Sequence, residues 1–244
     1  EISACLVGSE MCIRDSDYVT AGLASMMGTT IEWYDFFLYG TAAALIFNKI
    51  FFPAFDPLTG TLAAFATYSV GFFARPLGGV IFGHYGDKIG RKSMLLITLL
   101  LMGVPTILIG LIPSYEQIGY WAAVLLVLMR FLQGIAVGGE WGGAVLMAVE
   151  HAPEGKKGFF GSLPQAGVAP GLILSSLAMG AVAALPEEDM LSWGWRLPFL
   201  ASVVLLLVGW FIRVKVAESP DFEQMREKGA KVEVPVAEVL KHHR

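Results

Sequence analysis

Two stretches of this chain, Ser93 to Tyr115 and Gly158 to Pro186, contain no charged residue at all. As helices rising about 1.5 Å per residue, both are long enough to cross a hydrocarbon core roughly 30 Å thick. A chain with such runs is committed to lipid, and the rest of the sequence divides around them. Six spans are predicted: Gly22 to Phe47, Gly60 to Tyr85, Ser93 to Pro113, Tyr120 to Val149, Phe159 to Leu185, and Trp195 to Val216. Composition agrees, with 55% hydrophobic and 16% charged residues, against about 25% charged in soluble domains. The net charge of −4 carries little weight, because a multi-span protein distributes its charge by side.

The side follows from Lys and Arg. Lys88, Arg91 and Lys92 lie between spans 2 and 3, and Lys156 and Lys157 between spans 4 and 5. Arg213, Lys215, Arg226, Lys228, Lys231, Lys241 and Arg244 lie at or after the end of span 6. The other face has Lys49, Arg196 at its edge, and the acidic Asp56, Glu116, Glu187, Glu188 and Asp189. The cationic face is therefore cytoplasmic, and six spans put both chain ends there.

Two segments stand outside the spans. Residues 1–16 show no helical period and hold both cysteines, Cys5 and Cys12; they are read as a non-native leader and set aside. Residues 217–244 are read as the start of a cytoplasmic central loop. There, Ser219-Pro220-Asp221 has the form of a helix start and Gly229 of a stop. Neither a disulfide framework nor a metal site is suggested.

Charges inside the spans are the functional signal. Glu32, Asp35, Arg75, Arg130, Glu140 and Arg196 sit in or at the edge of apolar segments, where each costs about 2.5–3.5 kcal/mol at mid-bilayer on insertion scales. Span 1 runs outward and span 4 inward. Asp35 lies about 18 Å from the outer end of its span and Arg130 about 15 Å from its own. The two are therefore expected to pair, with Glu32 in reserve about 4.5 Å deeper on nearly the same face. Burial raises an aspartate's pKa and a neighbouring arginine lowers it, so such a pair is suited to proton coupling; a static packing pair is the alternative. Arg75, about 22 Å from the outer end of span 2, suits a substrate carboxylate, or else pairs with Glu32 or backbone carbonyls. Gln165 is a polar group available to a cavity, and Tyr34 and Tyr39 suit packing and binding alike. Pro164, Gly167, Pro170 and Gly171 predict a bend in span 5. His84 and His151 stand alone at span ends, and no nucleophile, metal cluster or phosphate loop accompanies them, so an enzyme is not expected.

The segment Gly83-His84-Tyr85-Gly86-Asp87-Lys88-Ile89-Gly90-Arg91-Lys92 resembles the loop 2–3 signature of the major facilitator superfamily. Glu32-Trp33-Tyr34-Asp35-Phe36, Arg75-Pro76-Leu77-Gly78-Gly79, Arg130-Phe131-Leu132-Gln133-Gly134, Gly138-Gly139-Glu140-Trp141-Gly142-Gly143 and Glu218-Ser219-Pro220-Asp221-Phe222 are together similar to its metabolite:proton symporter branch. That branch carries proline and betaine, α-ketoglutarate, citrate, shikimate and related solutes in bacteria. The resemblance implies an all-α membrane protein: six helices, a 3+3 inverted repeat, forming the N-terminal half-bundle of a twelve-span transporter in the inner membrane, with the C-terminal half missing. It also implies proton coupling through Asp35 and Arg130, with Glu32 added from its depth; the residues themselves offer Arg75, Tyr34, Tyr39, Gln133 and Gln165 as candidates for a substrate site. The implied cytoplasmic gate comprises Gly83, Gly86, Asp87, Gly90, Arg91, Lys92, Glu140 and Glu218. A small carboxylate or zwitterionic solute and protons are the expected partners, without nucleic acid or cofactor. The alternative is a six-span protein with a sensor or structural role and no transport.

Overall fold

The computed structural model describes the backbone of residues 2–215 and the side chains of residues 19–86, 89, 90 and 92–215. Seven helices build the bundle: α1 (Ile2–Ala42), α2 (Pro57–Ile89), α3 (Arg91–Leu111), α4 (Trp121–Glu150), α5 (Lys157–Ala166), α6 (Val168–Ala183) and α7 (Arg196–Lys215). Helices α5 and α6 are the two parts of span 5, joined at Gly167, where the sequence predicts a bend. The π-helical segments Ala43–Phe47 and Met190–Gly194 extend α1 and lead into α7.

Local chemistry sets the ends. Helix α2 starts before the predicted Gly60 because the Asp56 side chain accepts from the Thr59 amide at 3.1 Å and Pro57 occupies the first turn. It runs on to Ile89, so the expected 2–3 loop shrinks to one hinge residue. Gly90 adopts φ +105°, a conformation that favours glycine. Pro76 and Pro105 lie inside α2 and α3. Each removes one helical hydrogen bond, next to Arg75 and Thr106 respectively. Arg196 donates to the carbonyls of Gly110 and Ile112, both at 2.8 Å, and so caps the end of α3 rather than lining a site.

By length and apolarity, four of the described helical stretches can cross a membrane: Lys92–Leu111, Trp121–Glu150, Lys157–Ala183 and Arg196–Lys215. Helices α1 and α2 are longer, at 41 and 33 residues, but less apolar, because they carry Glu32, Asp35 and Arg75 among glycines and hydroxyls.

The packing has an internal symmetry. Span 2 packs on span 4, span 1 on span 5, span 3 on spans 4 and 6, and span 1 on spans 4 and 6. Exchanging spans 1, 2, 3 for 4, 5, 6 maps this pattern onto itself, and an offset of three spans reverses direction, so the bundle is a 3+3 inverted repeat. Both equivalent interfaces rely on close backbone approach. A Cβ on Gly134 or Gly138 would overlap the carbonyls of Gly71 or Arg75, and one on Gly171 would meet the Thr30 carbonyl at 2.8 Å. Among the described residues the apolar core has a large cluster around Tyr39, Phe47, Phe51, Trp195 and Phe199, and smaller ones around Ile31, Leu99 and Met102 and around Ala21, Leu95 and Met147.

Candidate functional site

Asp35 on α1 faces Arg130 on α4, and both side chains are only 6% exposed. Arg130 Nη1 donates to Asp35 Oδ2 at 2.8 Å and to Gln133 Oε1 at 2.7 Å. Gln133, one turn along α4, donates from Nε2 to Asp35 Oδ1 at 3.0 Å and to Thr106 Oγ1 at 2.8 Å. Thr106 on α3 lies 2.9 Å from Asp35 Oδ1. Three helices thus contribute one closed network around a single carboxylate. Beneath it, the Arg130 guanidinium carbon stands 3.8 Å from the Tyr39 ring centroid and 5.0 Å from that of Tyr68. Cation–π attraction of about 2 kcal/mol in a desolvated setting holds the cation there. Tyr39 is in turn fixed by a 2.5 Å hydrogen bond with Thr67.

The network opens on a crevice lined by Glu32, Asp35, Phe36, Tyr68, Phe72, Arg75, Arg130 and Gln133. Its volume of about 20 Å³ is room for a water molecule rather than a solute. Glu32 is 5% exposed, and its Oε2 has no hydrogen-bond partner among the described residues. Arg75 lies over the rings of Phe72 and Phe36, at 4.6 and 5.7 Å. Phe36, Tyr68 and Phe72 form a three-ring wall with centroids 5.0–5.5 Å apart. Glutamate, arginine and aromatic faces therefore border one water-sized space.

A second buried pair sits farther along α4, ten residues from Arg130. Glu140 on α4 is ion-paired to Arg213 on α7, and neither is more than 4% exposed. Thr98 on α3 donates to Glu140 Oε2 at 3.0 Å, and Arg213 also donates to the Leu95 carbonyl. Here a residue counted in the sequence only as a cytoplasmic charge proves to be a brace inside the bundle.

Of the residues expected from sequence, Asp35, Glu32, Arg130, Arg75 and Gln133 border the crevice, and Tyr39 lies under Arg130. Tyr34 does not join them; its hydroxyl donates to the Pro198 carbonyl at 2.7 Å inside the apolar core. Gln165 is exposed on α5, away from the crevice lining. Gly83 and Gly86 line a separate glycine-rich groove with Gly138, Gly139 and Gly142, and Lys92 Nζ donates to the Val214 carbonyl at 2.7 Å. The side chains of Asp87 and Arg91, and Glu218 entirely, lie outside the described residues. Sequence reasoning missed Thr106 and Arg213. Their available signals were the Pro105-Thr106 step beside a helix break, and the position of Arg213 one turn inside an apolar segment.

Known proteins resemble this chain in sequence and in fold. Residues 20–234 match the family described as sugar (and other) transporter. The shikimate transporter of Escherichia coli strain K12 is 52% identical over 226 residues, which are 91% of this chain and 52% of that protein. The proline/betaine transporter of Salmonella typhimurium is 41% identical over 229 residues, 93% of this chain and 46% of that protein. Among solved structures, the proton:xylose symporter XylE with 6-bromo-6-deoxy-D-glucose bound superposes with a TM-score of 0.76 at 19% identity, covering 87% of this chain and 47% of XylE. The fold is that of the N-terminal half of a major facilitator superfamily transporter, a multi-pass membrane protein and not an enzyme. The chain belongs to the sugar (and other) transporter family and spans about half the length of the curated relatives it matches.

Proposed function

We propose that this chain is the N-terminal half of a proton-coupled secondary transporter in a bacterial inner membrane, moving a small solute that bears a carboxylate. Organic acids and zwitterionic osmolytes both meet that description, and the two relatives are named for shikimate and for proline and betaine. The solute binds between this half and a second six-span half, with the cationic face toward the cytoplasm. Asp35 carries the proton and Arg130 is its charge partner. Glu32 is a second carboxylate in the same crevice, and Arg75 takes the carboxylate of the solute, with Gln133 and Tyr39 holding the Arg130 end of the site. Tyr34 and Gln165 keep only their sequence argument, since neither borders this crevice.

The observation that carries the reading is the Asp35–Arg130 ion pair, 2.8 Å long and buried, yet opening on a crevice shared with Glu32 and Arg75. Charges of opposite sign in one water-accessible space let a proton and an anion compete for the same partners. A sensor or scaffold has no use for that competition. The gate role assigned to Gly83, Gly86, Asp87, Gly90, Arg91, Lys92 and Glu218 depends on contacts with the second half. For Glu140, the internal pairing with Arg213 favours a bracing role instead.

The test uses the full-length transporter in vesicles, with radiolabelled shikimate and glycine betaine as probes. An inward proton gradient is expected to drive accumulation of at least one of them. Arg75→Lys is expected to raise the Michaelis constant for that solute, because a point charge replaces a two-pronged donor. Uptake of neither probe and binding of neither would favour the sensor or structural role; unchanged kinetics in Arg75→Lys would remove Arg75 from the binding site.

A further inference from the structure

A carboxylate that carries a proton must be satisfied twice, once charged and once neutral. The charged form is well served: Arg130 donates to Oδ2, and Gln133 and Thr106 face Oδ1. The neutral form is a different problem, because its new O–H is a donor and needs an acceptor. Arg130 has none to offer. Gln133 turns its amide nitrogen to Asp35, and its Oε1 is engaged by Arg130. In this shell the hydroxyl of Thr106 is the group able both to donate and to accept.

Thr106 also has somewhere to send its own hydrogen. Its Oγ1 lies 2.9 Å from Asp35 Oδ1 and 2.9 Å from the Met102 carbonyl oxygen, one turn back on α3. A hydroxyl has a single hydrogen and cannot serve both acceptors at once. The Met102 carbonyl has a second lone pair beyond its helical bond, so the alternative is open without breaking α3.

We infer that Thr106 is the positioning residue that makes Asp35 a reversible proton site, donating to the carboxylate when Asp35 is charged and accepting from the carboxylic acid when it is neutral. When a proton reaches Asp35 from the crevice, it bonds to the carboxylate. The Thr106 hydrogen then rotates onto the Met102 carbonyl, and the Asp35–Thr106 hydrogen bond reverses direction. No other bond forms or breaks, and the proton's departure runs the same steps backward. Among the described residues, the charged and titratable groups around the pair are Glu32, Tyr34 and Tyr39 on α1, Tyr68 and Arg75 on α2, and Arg130 on α4. This inference rests on the proton-carrying role proposed for Asp35 and assigns α3 a part in it. The same hydroxyl would report the protonation state of α1 to α3.

Infrared difference spectroscopy between acidic and neutral pH on the purified full-length transporter reads this directly. The carboxylic-acid carbonyl band of Asp35 is identified by its loss in Asp35→Asn. In Thr106→Val, which keeps the shape and deletes the hydroxyl, that band is expected to move to higher frequency as the acid loses its acceptor. Thr106→Ser is expected to return it to the wild-type position. In vesicles, Thr106→Val is expected to lower proton-driven accumulation of shikimate or glycine betaine at least tenfold while leaving equilibrium exchange within about twofold, with Thr106→Ser near wild type. A band that stays put in a folded Thr106→Val protein overturns the role of Thr106 alone. A spectrum with no Asp35-dependent band overturns both this inference and the proton-carrying role beneath it.

Discussion

Among the described residues the bundle contains two buried carboxylate–arginine pairs built from the same parts and fitted to different uses. Asp35 with Arg130 and Glu140 with Arg213 are all 5% exposed or less, and each carboxylate takes a threonine of α3, Thr106 or Thr98. The threonines are eight positions apart, about 12 Å along the helix. Burial and pairing therefore do not distinguish the clusters. What differs is the surroundings. The Asp35 pair borders a water-sized crevice with a second carboxylate and a second arginine. Around Glu140, by contrast, both oxygens are occupied by Arg213 and Thr98, and a Cβ on Gly28 would collide with the pair. A charge beside a second carboxylate and a second arginine can change partners; Glu140, with both oxygens engaged, has none to change to, and Arg213 reaches only a smaller cavity of about 10 Å³ that it shares with Lys92. The first cluster fits a switch and the second a brace.

The comparison is sharpened first by breaking each pair. Arg213→Ala should cost about 3–5 kcal/mol, since it strands a sealed charge, and should abolish a cooperative melt in detergent. Asp35→Asn should melt within a few degrees of wild type, because Arg130 keeps Gln133, the Tyr39 ring and access to crevice water. If the two variants melted alike, the distinction between brace and switch would fail. Replacing both brace partners with apolar residues, Glu140→Met with Arg213→Leu, should recover most of the lost stability, as buried ion pairs often can be exchanged for apolar packing.

Smaller effects follow. Gly28→Ala pushes a methyl group into the brace and should cost about 1–3 kcal/mol by overpacking, read as a lower melting temperature with transport otherwise intact. Tyr39→Leu removes the ring under Arg130 and should cost about 1–2 kcal/mol of cation–π attraction, whereas Tyr39→Phe keeps most of it. The smallest effect belongs to the exposed Lys49–Glu187 pair, 2.5 Å apart. Its hydrogen bond, and then the lysine charge, hold the Glu187 carboxyl below the ordinary range. A depressed carboxylate contributes stability above its unfolded pKa and loses it as pH falls through the folded value. Lys49→Gln should thus differ from wild type slightly at neutral pH, and the gap should close in acid.

How much of this was legible beforehand depends on what each feature needs. The order of the helices and the bend in span 5 need only hydropathy and Pro/Gly placement, and both are visible in the chain. That Asp35 and Arg130 meet needed only the antiparallel run of spans 1 and 4 and a rise per residue. Arg213 was hidden because it shares the last turn of α7 with Lys215, and only packing against α3 and α4 turns it inward. Thr106 was hidden because a lone hydroxyl carries no charge and no period; its role exists only once three helices converge. The 2–3 loop was misjudged because charged residues read as loop, while the helix continues to the one position, Gly90, whose backbone forces the turn. Tyr34 went to the core because its hydroxyl finds the Pro198 carbonyl, a partner far away in sequence.

The central claim is that Asp35 carries the coupled proton. It is tested most directly by comparing gradient-driven accumulation with equilibrium exchange in vesicles holding the full-length Asp35→Asn transporter. Accumulation is expected to vanish while exchange of preloaded solute persists, because an amide can occupy the site but cannot load and release a proton. Equal loss of both activities, or accumulation that survives, would contradict the assignment.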